Sequence, residues 1–380
     1  MVAAAEHESA YKGKNPYDQG GTEAVYVMTN QDTGNAVTVL ERAADGGLTE
    51  IETFPTGGLG NGNAANVANA LDPLVSQGSL ILSDDHRFLF AVNAGSNEVS
   101  VLAIEGNKLV PVDRVPSGGT LPVSVTVRKN LLYVLNRIGS TITGFTVGTD
   151  GKLSALAGST QSLIRGVNGA PAQIRFTPDG TQLVVTEIAN NLIEVLDIDE
   201  DGRAGPPVAN QSSGPGPFGF TFAGNDLLIV SEVVSNAASS YRVTKDGTLE
   251  VVSGSVPTTE EAACWVVTNS ITDPRYAYVV NATSGSISGY RIAGTGALSL
   301  LDPDGRTGVT VDSLAAIDSA VSGDGRFLYV LTGGFSATSQ MPDLSAEMSI
   351  TSFRIETDGS LTTIPGPGGF PPGTQGIAAI

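Results

Sequence analysis

The feature that most constrains the fold is a strand-turn-strand unit that recurs seven times, about every 50 residues. In each copy an apolar strand ends on a polar residue, and a Gly/Ser/Asn turn leads to a second strand. The seven apolar strands end at Asn30, Asn93, Asn136, Glu187, Glu232, Asn281 and Thr332. Five copies continue through an Asp-Gly dipeptide, a strong hairpin signal because type I′ turns need positive φ. Strand repeats of this length indicate a propeller in which each copy is one blade.

A further strand precedes six of the seven copies, and the C-terminus supplies the missing one. The run GTQGIAAI (373–380) resembles SQGSLILS (76–83), which leads into the second copy. We therefore predict an all-β, seven-bladed β-propeller with four-stranded antiparallel blades. The C-terminal strand should pair beside Ala24–Thr29 in blade one, which closes the ring and covers its open edges. Residues 1–22 are expected to form a polar N-terminal arm, and residues 23–380 a single propeller domain.

Charge and residue content exclude several classes of function. The chain has 39 acidic and 20 basic residues, a net charge of −19, whereas a nucleic-acid-binding surface needs a basic footprint. No run approaches the ~18 apolar residues of a membrane helix. One cysteine, Cys264, and two histidines exclude a disulfide framework and a Cys- or His-rich metal site. We expect no nucleic-acid partner, no membrane segment and no cofactor, with Ca²⁺ left open.

Four stretches are distinctive: GNAVTVLERAADGGLTEI, SDDHRFLFAVNAGSNEVSVL, FTPDGTQLVVTEIANNLIEVLDID and SGDGRFLYVL. They resemble the lactonase family of seven-bladed propellers, which includes 6-phosphogluconolactonases and carboxymuconate lactonizing enzymes. The resemblance covers about residues 24–380. A bacterial and fungal branch, often called lactonase or 3-carboxymuconate cyclase, is similar in the runs FGFTF, LLIVSE, AACWVVT and YAYVVNATSGSISGYRI.

The resemblance implies chemistry on a lactone ring with no redox cofactor. Family lactonases usually carry a Pro-His motif on a middle inner strand, but the matching strand here, GAPAQIRFTPDG, has Gln173 and Arg175 and no histidine. Glu187 matches the glutamate-containing stretch that follows such a strand. Members of this branch often carry a secretory signal, so we expect a secreted or periplasmic protein, with a cytoplasmic one as the alternative.

Glu187 and Glu232 occupy the same register in adjacent blades, where the other five blades carry Asn or Thr. Each inner strand begins at the face where the next strand ends, so these positions meet at one mouth of the central channel. Neighbouring carboxylates raise each other's proton affinity, which suits acid-base catalysis. With Arg137 and Arg175 as contacts for a substrate carboxylate or oxyanion, they form the predicted catalytic group. The predicted substrate-binding residues are Gln77, Asn93, Ser124, Asn136, Gln173, Trp265, Asn281, Asp318 and Gln375.

Each assignment has a structural alternative. The glutamates would equally ligate Ca²⁺ or cap turns by accepting backbone N–H bonds, and the arginines would equally form ion pairs. For Trp265, packing between blades is favoured over contact with a ligand, and Cys264 is predicted to be a small core residue. His86 is expected on the opposite face. Long insertions at 57–73 and 335–349 are candidates for pocket walls.

Two functions of different class remain. The first is a lactonase-like enzyme that opens a lactone, or closes one from a muconate-type acid, by glutamate acid-base catalysis. Because the net charge repels highly anionic molecules, its small-molecule substrate is expected to be neutral or weakly acidic. The second is a non-catalytic secreted propeller that binds a protein or carbohydrate. In either case a monomer is expected.

Overall fold

The computed structural model describes residues 23–62, 72–164, 169–270, 274–310, 315–333 and 347–380. The regular structure of these ranges is all β: seven antiparallel sheets of four or five strands, which form a seven-bladed β-propeller. This confirms the predicted fold class and blade number. No helix in the described ranges has the length and hydropathy needed to cross a membrane.

The strands follow the chain blade by blade. Blade 1 contains β1 (Ala24–Met28), β2 (Ala36–Arg42) and β3 (Leu48–Pro55). Blade 2 contains β4 (Leu80–Leu82), β5 (Phe88–Asn93), β6 (Glu98–Glu105) and β7 (Lys108–Pro116). Blade 3 contains β8 (Thr120–Arg128), β9 (Leu131–Ile138), β10 (Thr141–Val147), β11 (Leu153–Ala155) and β12 (Gln161–Ser162). Blade 4 contains β13 (Pro171–Phe176), β14 (Gln182–Glu187), β15 (Leu192–Asp197) and β16 (Val208–Gln211).

The remaining blades follow the same order. Blade 5 contains β17 (Pro217–Ala223), β18 (Leu227–Glu232), β19 (Ala237–Val243) and β20 (Leu249–Pro257). Blade 6 contains β21 (Ala263–Thr268), β22 (Tyr276–Asn281), β23 (Ser286–Ile292), β24 (Leu298–Leu300) and β25 (Gly308–Val309). Blade 7 contains β26 (Ala316–Val321), β27 (Phe327–Thr332), β28 (Met348–Ile355), β29 (Leu361–Ile364) and β30 (Gly368–Phe370). The last strand, β31 (Ile377–Ala379), belongs to blade 1.

The ring is closed by the C-terminal strand, as predicted. β31 runs antiparallel to β1, with Val27 opposite Ile377 and Val25 opposite Ala379. Two backbone hydrogen bonds between Met28 and residues 375–376 extend this pairing. Without β31 the inner edge of β1 would be unpaired, and such edges promote aggregation.

The blades stack face to face, so their second strands are buried on both sides. All six residues of β5, β14, β18, β22 and β27 are buried, which explains why these segments read as continuous apolar runs. Tyrosines on these strands bond to the Asp-Gly turn of the next blade. Tyr278 donates to the Gly359 carbonyl at 2.9 Å, and Tyr329 reaches Gly46 across the ring seam at 3.4 Å. Each of these turns therefore closes a hairpin in its own blade and also holds the neighbouring blade in place.

The strand register shows which strand ends lie at the same face of the ring. Pro171 at the start of β13 lies opposite Glu187 at the end of β14, and Pro217 lies opposite Glu232 in the next blade. The starts of the inner strands and the ends of the second strands therefore meet at one face, called the mouth face below. The turn with His86 joins β4 and β5 at the opposite face, called the far face.

Candidate functional site

Two side chains cross the ring axis and close the central channel just below the mouth face. Gln77, which precedes β4 of blade 2, pairs with the backbone of Val266 in blade 6: its Nε2 donates at 3.0 Å and its Oε1 accepts at 3.1 Å. Trp265 of blade 6 donates its indole N–H to the Ser76 carbonyl at 2.8 Å. Blades 2 and 6 are not neighbours in the ring, so these bonds span the axis. We call Gln77 and Trp265 the channel plug.

Other predicted substrate-binding residues lie around the plug. The Ser124 hydroxyl donates to the Gln77 carbonyl at 2.7 Å, and Gln173 Oε1 accepts the Phe220 N–H at 2.6 Å. Both side chains are buried. Both residues lie on inner strands, and the bonds seen here hold those strands together. Their predicted contact with a substrate stays a prediction.

Above the plug, an ionic cluster lies at the mouth. The Asp72 carboxylate accepts hydrogen bonds from Gln375 Nε2 at 2.6 Å and from the Val75 N–H at 2.7 Å. The Arg137 guanidinium bridges three blades, because its Nη1 donates to the carbonyls of Val75 at 2.9 Å and Pro171 at 3.0 Å. Asp72 and Arg137 are both half-buried residues.

The environment of this cluster tunes its charges. Burial raises the pKa of Asp72 to about 6, against the lowering effect of the Gln375 and Val75 hydrogen bonds and the Arg137 charge. Burial also lowers the pKa of Arg137, which the Asp72 charge partly offsets. Asp72 is therefore largely ionised at pH 7 yet basic enough to take a proton, as a general base must be.

A second carboxyl group lies close to the axis on blade 7. Asp318 is buried near the start of β26 with a φ of 52°, and it lines a cavity of about 290 Å³ in the channel below the plug. Burial raises the pKa of Asp318 to about 8, and the negative charge of Asp72 adds to the effect. Burial thus raises the pKa of both aspartates, and that of Asp318 by more.

Glu232 is enclosed by hydrogen bonds of its own blade. Its carboxylate accepts from the Gly214 N–H at 2.9 Å and from the hydroxyls of Ser235 at 2.9 Å, Ser239 at 2.5 Å and Ser255 at 2.6 Å. The residue is 0% exposed. Four donors around one buried carboxylate match the capping alternative, with a side chain that satisfies a turn from inside.

Glu187 has a different surrounding. It is buried and accepts a hydrogen bond from Asn190 Nδ2 at 3.0 Å. The acidic group next to it is Glu194 on β15, whose pKa is raised to about 7 by burial and by the charge of Glu187. The predicted approach of Glu187 to Glu232 across the mouth is therefore not the arrangement seen, because each carboxylate lies inside its own blade. Their predicted catalytic role is left without the proximity on which it was based.

The same slot in other blades explains this placement. Asn93 donates to the Ser100 hydroxyl at 2.7 Å and Asn281 to the Ser288 hydroxyl at 2.8 Å, the same seven-residue spacing as Glu232 and Ser239. In four blades the slot side chain also packs against a glycine of the preceding loop. A Cβ at that glycine would overlap the slot side chain. These glycine and slot pairs are Gly58–Asn93, Gly119–Asn136, Gly169–Glu187 and Gly214–Glu232. The geometry shared by Asn and Glu blades favours a structural function for the slot.

Arg175 is separated from the other predicted catalytic residues. It lies opposite Val184 of β14. Along β13, Arg175 is four residues beyond Pro171, which corresponds to ~13 Å at the usual rise of a strand. Its side chain lines the cavity below the plug and a second cavity of about 570 Å³ at the far face. Arg175 therefore lies deeper along the channel than Pro171, and its predicted catalytic role stays a prediction.

Sequence reasoning did not find Asp72, because it lies in the insertion 57–73 and outside the repeat. Residues 63–71 of that insertion, and 335–346 of the one in blade 7, lie outside the described residues, so their predicted function as pocket walls is untested. Among the described residues no group of three or more His, Cys, Asp or Glu side chains is arranged to hold a metal ion. Cys264 is buried, in agreement with the predicted core position.

Comparison with known protein families finds one matching family. The model of the family described as "Lactonase, 7-bladed beta-propeller" matches residues 19–162 and 128–268. No curated protein sequence matches the chain significantly.

Several solved structures share the fold. A putative 6-phosphogluconolactonase from Bacteroides fragilis is 17% identical, with a TM-score of 0.68 over 96% of this chain and 99% of that one. One from Bacteroides uniformis is 16% identical, with a TM-score of 0.71 over 94% and 100%. A periplasmic gluconolactonase from Pseudomonas aeruginosa is 15% identical, with a TM-score of 0.71 over 95% and 99%. At these identities the likeness concerns the fold.

Proposed function

Because this chain belongs to the lactonase family of seven-bladed β-propellers, we propose that it hydrolyses a lactone ring, with the chemistry at the mouth cluster of Asp72, Arg137 and Gln375. The observation that carries the proposal is a half-buried carboxylate with a pKa of about 6 beside a fixed guanidinium. The names of the similar structures, 6-phosphogluconolactonase and gluconolactonase, support a sugar-derived lactone as the substrate class.

The proposed mechanism needs a base and a charge that stabilises an oxyanion. Asp72 removes a proton from a water molecule as the water oxygen attacks the lactone carbonyl carbon. The Arg137 guanidinium, held by two carbonyls through Nη1, presents Nε and Nη2 to the oxygen on which negative charge develops. The ring C–O bond then breaks, and the protonated Asp72 returns its proton to the leaving alkoxide. The product is an open-chain hydroxy acid.

The overall charge fits this direction of reaction. A neutral lactone approaches a protein of net charge −19 without long-range repulsion, whereas the carboxylate product is repelled. Lactonisation of a muconate-type acid would use the same groups in reverse, but it would begin with an anion that the protein repels. Hydrolysis of a neutral lactone is therefore the preferred direction.

The test is lactone turnover by pH-stat, with glucono-δ-lactone and a panel of neutral lactones, corrected for spontaneous hydrolysis. Asp72→Asn should lower kcat/KM by ~10²-fold or more, the lower range for a general base. Arg137→Met should give a loss of similar size through kcat. The wild-type kcat/KM should rise with pH through about 6, as Asp72 loses its proton. Glu250→Gln, an exposed glutamate on β20, is the matched control and should leave turnover unchanged.

Three results would contradict the proposal. Full activity of folded Asp72→Asn would exclude the base assignment. Turnover of muconates but not of lactones would favour the cycloisomerase alternative. A folded protein that turns over neither class would favour the binding propeller.

A further inference from the structure

We propose that the far face carries a second binding site, separate from the mouth cluster, for a small ligand with a carboxylate or phosphate group. Its centre is the guanidinium of Arg175. Arg175 lines both the cavity of about 290 Å³ inside the channel and the cavity of about 570 Å³ at the far face. A ligand group at Arg175 would thus lie at the junction of the two cavities.

The charge of Arg175 is not neutralised by the protein. Its one hydrogen bond among the described residues is a long one, 3.4 Å from Nη1 to the Thr221 hydroxyl, and no described carboxylate lies within 4.0 Å of it. The acidic residue that lines both cavities, Asp84, is engaged elsewhere. It pairs with Arg128 at 3.2 Å and accepts the Lys129 N–H at 3.0 Å.

A second guanidinium, paired with Asp84, lies at the same cavity. Arg128 also lines the far-face cavity, and its Nε is buried without a hydrogen-bond partner. Burial lowers the pKa of Arg175, and the nearby charge of Arg128 lowers it further. In a chain with 39 acidic residues, a half-buried arginine without its own carboxylate is costly. An anion from solution would remove that cost.

The donor set defines the class of ligand. A guanidinium presents paired N–H groups that match the two oxygens of a carboxylate or phosphate. The far-face cavity is within the ~300–1,000 Å³ range of small-molecule sites, so the anionic group can belong to a molecule of monosaccharide size. His86 and Asn225 line the same cavity and offer polar contacts for the rest of such a ligand.

The experiment is calorimetric titration of the full chain with sodium gluconate and, separately, with inorganic phosphate, at constant ionic strength set by sodium chloride. The wild type should bind at least one of them. The anion that binds more tightly shows whether the site prefers a carboxylate or a phosphate. Arg175→Met should weaken that binding about tenfold or more, as expected for loss of a charge-assisted contact. Arg203→Met removes an exposed arginine of the far face and should bind like the wild type.

Thermal unfolding without added anion gives an independent readout. Arg175→Met should raise the melting temperature, because it removes a half-buried charge that has no carboxylate partner. A structural arginine would give a lower melting temperature and unchanged anion binding, and that result would overturn the proposal. So would the absence of binding of either anion to the wild type. Binding lost in Arg137→Met but kept in Arg175→Met would assign the anion to the mouth and also overturn the proposal.

Discussion

Replacement of Glu232 by Gln tests directly whether the slot at the end of the second strand is structural or catalytic. The carboxylate is fully buried and accepts four hydrogen bonds, so the structure predicts a loss of stability with little loss of turnover. A catalytic carboxylate would give the opposite result, a loss of turnover with stability almost unchanged. The two interpretations therefore differ in which quantity falls: stability in the structural case, turnover in the catalytic case.

The magnitude follows from which bonds the amide can keep. The Gly214 N–H can only donate, so the glutamine oxygen should remain on that side, where it also accepts from Ser239. The amide nitrogen then faces the hydroxyls of Ser235 and Ser255, which can turn to accept. Bonds to charged groups contribute ~1.5–3 kcal/mol and neutral ones ~0.5–1.5, so the four bonds, all neutral in the variant, lose about 4 kcal/mol together. Relief of the buried charge offsets more than half of this, which leaves about 1–2 kcal/mol.

Urea unfolding followed by fluorescence measures this difference directly. In thermal unfolding, the usual entropy of ~2.1 cal/mol/K per residue converts it to a shift of about 1–3 °C for a propeller of this size. Glu250→Gln, an exposed glutamate in the same blade, is the control for the general effect of charge. A Glu232→Gln protein with unchanged urea midpoint and ~10²-fold lower lactone turnover would refute the structural interpretation.

Four further predictions follow from the fold and its titrating groups. Asp318→Asn should be more stable than the wild type by an amount that grows with pH: the folded pKa of about 8, above the ordinary 3.8, means stability that is complete at low pH and lost as pH rises through 8. Urea unfolding between pH 4 and 9 checks this, and a constant difference would contradict it. Deletion of residues 373–380 should expose β1 and cause aggregation in size-exclusion chromatography. Cys264, buried and with its pKa raised by burial, should react with a thiol reagent only after unfolding. Tyr278→Phe removes the bond to Gly359 and should cost about 0.5–1.5 kcal/mol in urea unfolding.

The fold could be predicted from sequence because its determinants are local and repeated. The strand period, the Asp-Gly turns and the likeness of residues 373–380 to 76–83 each depend on short segments, and the ring closure in β31 confirms them. The register between the inner strand and the second strand of a blade was also predictable. It places Pro171 opposite Glu187 and so identifies the mouth face.

The contacts of the site could not be predicted in the same way, because they join segments far apart in sequence. Gln77 reaches Val266 across the axis, and Gln375 reaches Asp72 from the other end of the chain. Asp72 lies in an insertion with no counterpart in other blades, so no repeat position pointed to it. Arg175 lies four residues along β13 from Pro171, and the cavities that it lines could not be read from the repeat.

The two glutamates show why equal register does not imply equal chemistry. Glu232 meets Ser239 on the next strand, and three serines with one backbone N–H satisfy its charge. Glu187 meets a second acid, Glu194, at the corresponding position, and the raised pKa of Glu194 means that near pH 7 this buried pair holds a proton for part of the time. One slot therefore carries a fully compensated charge and the other a titrating pair. The residue on the adjacent strand, seven positions later, distinguishes them, and it can be read from the sequence once the blade geometry is known.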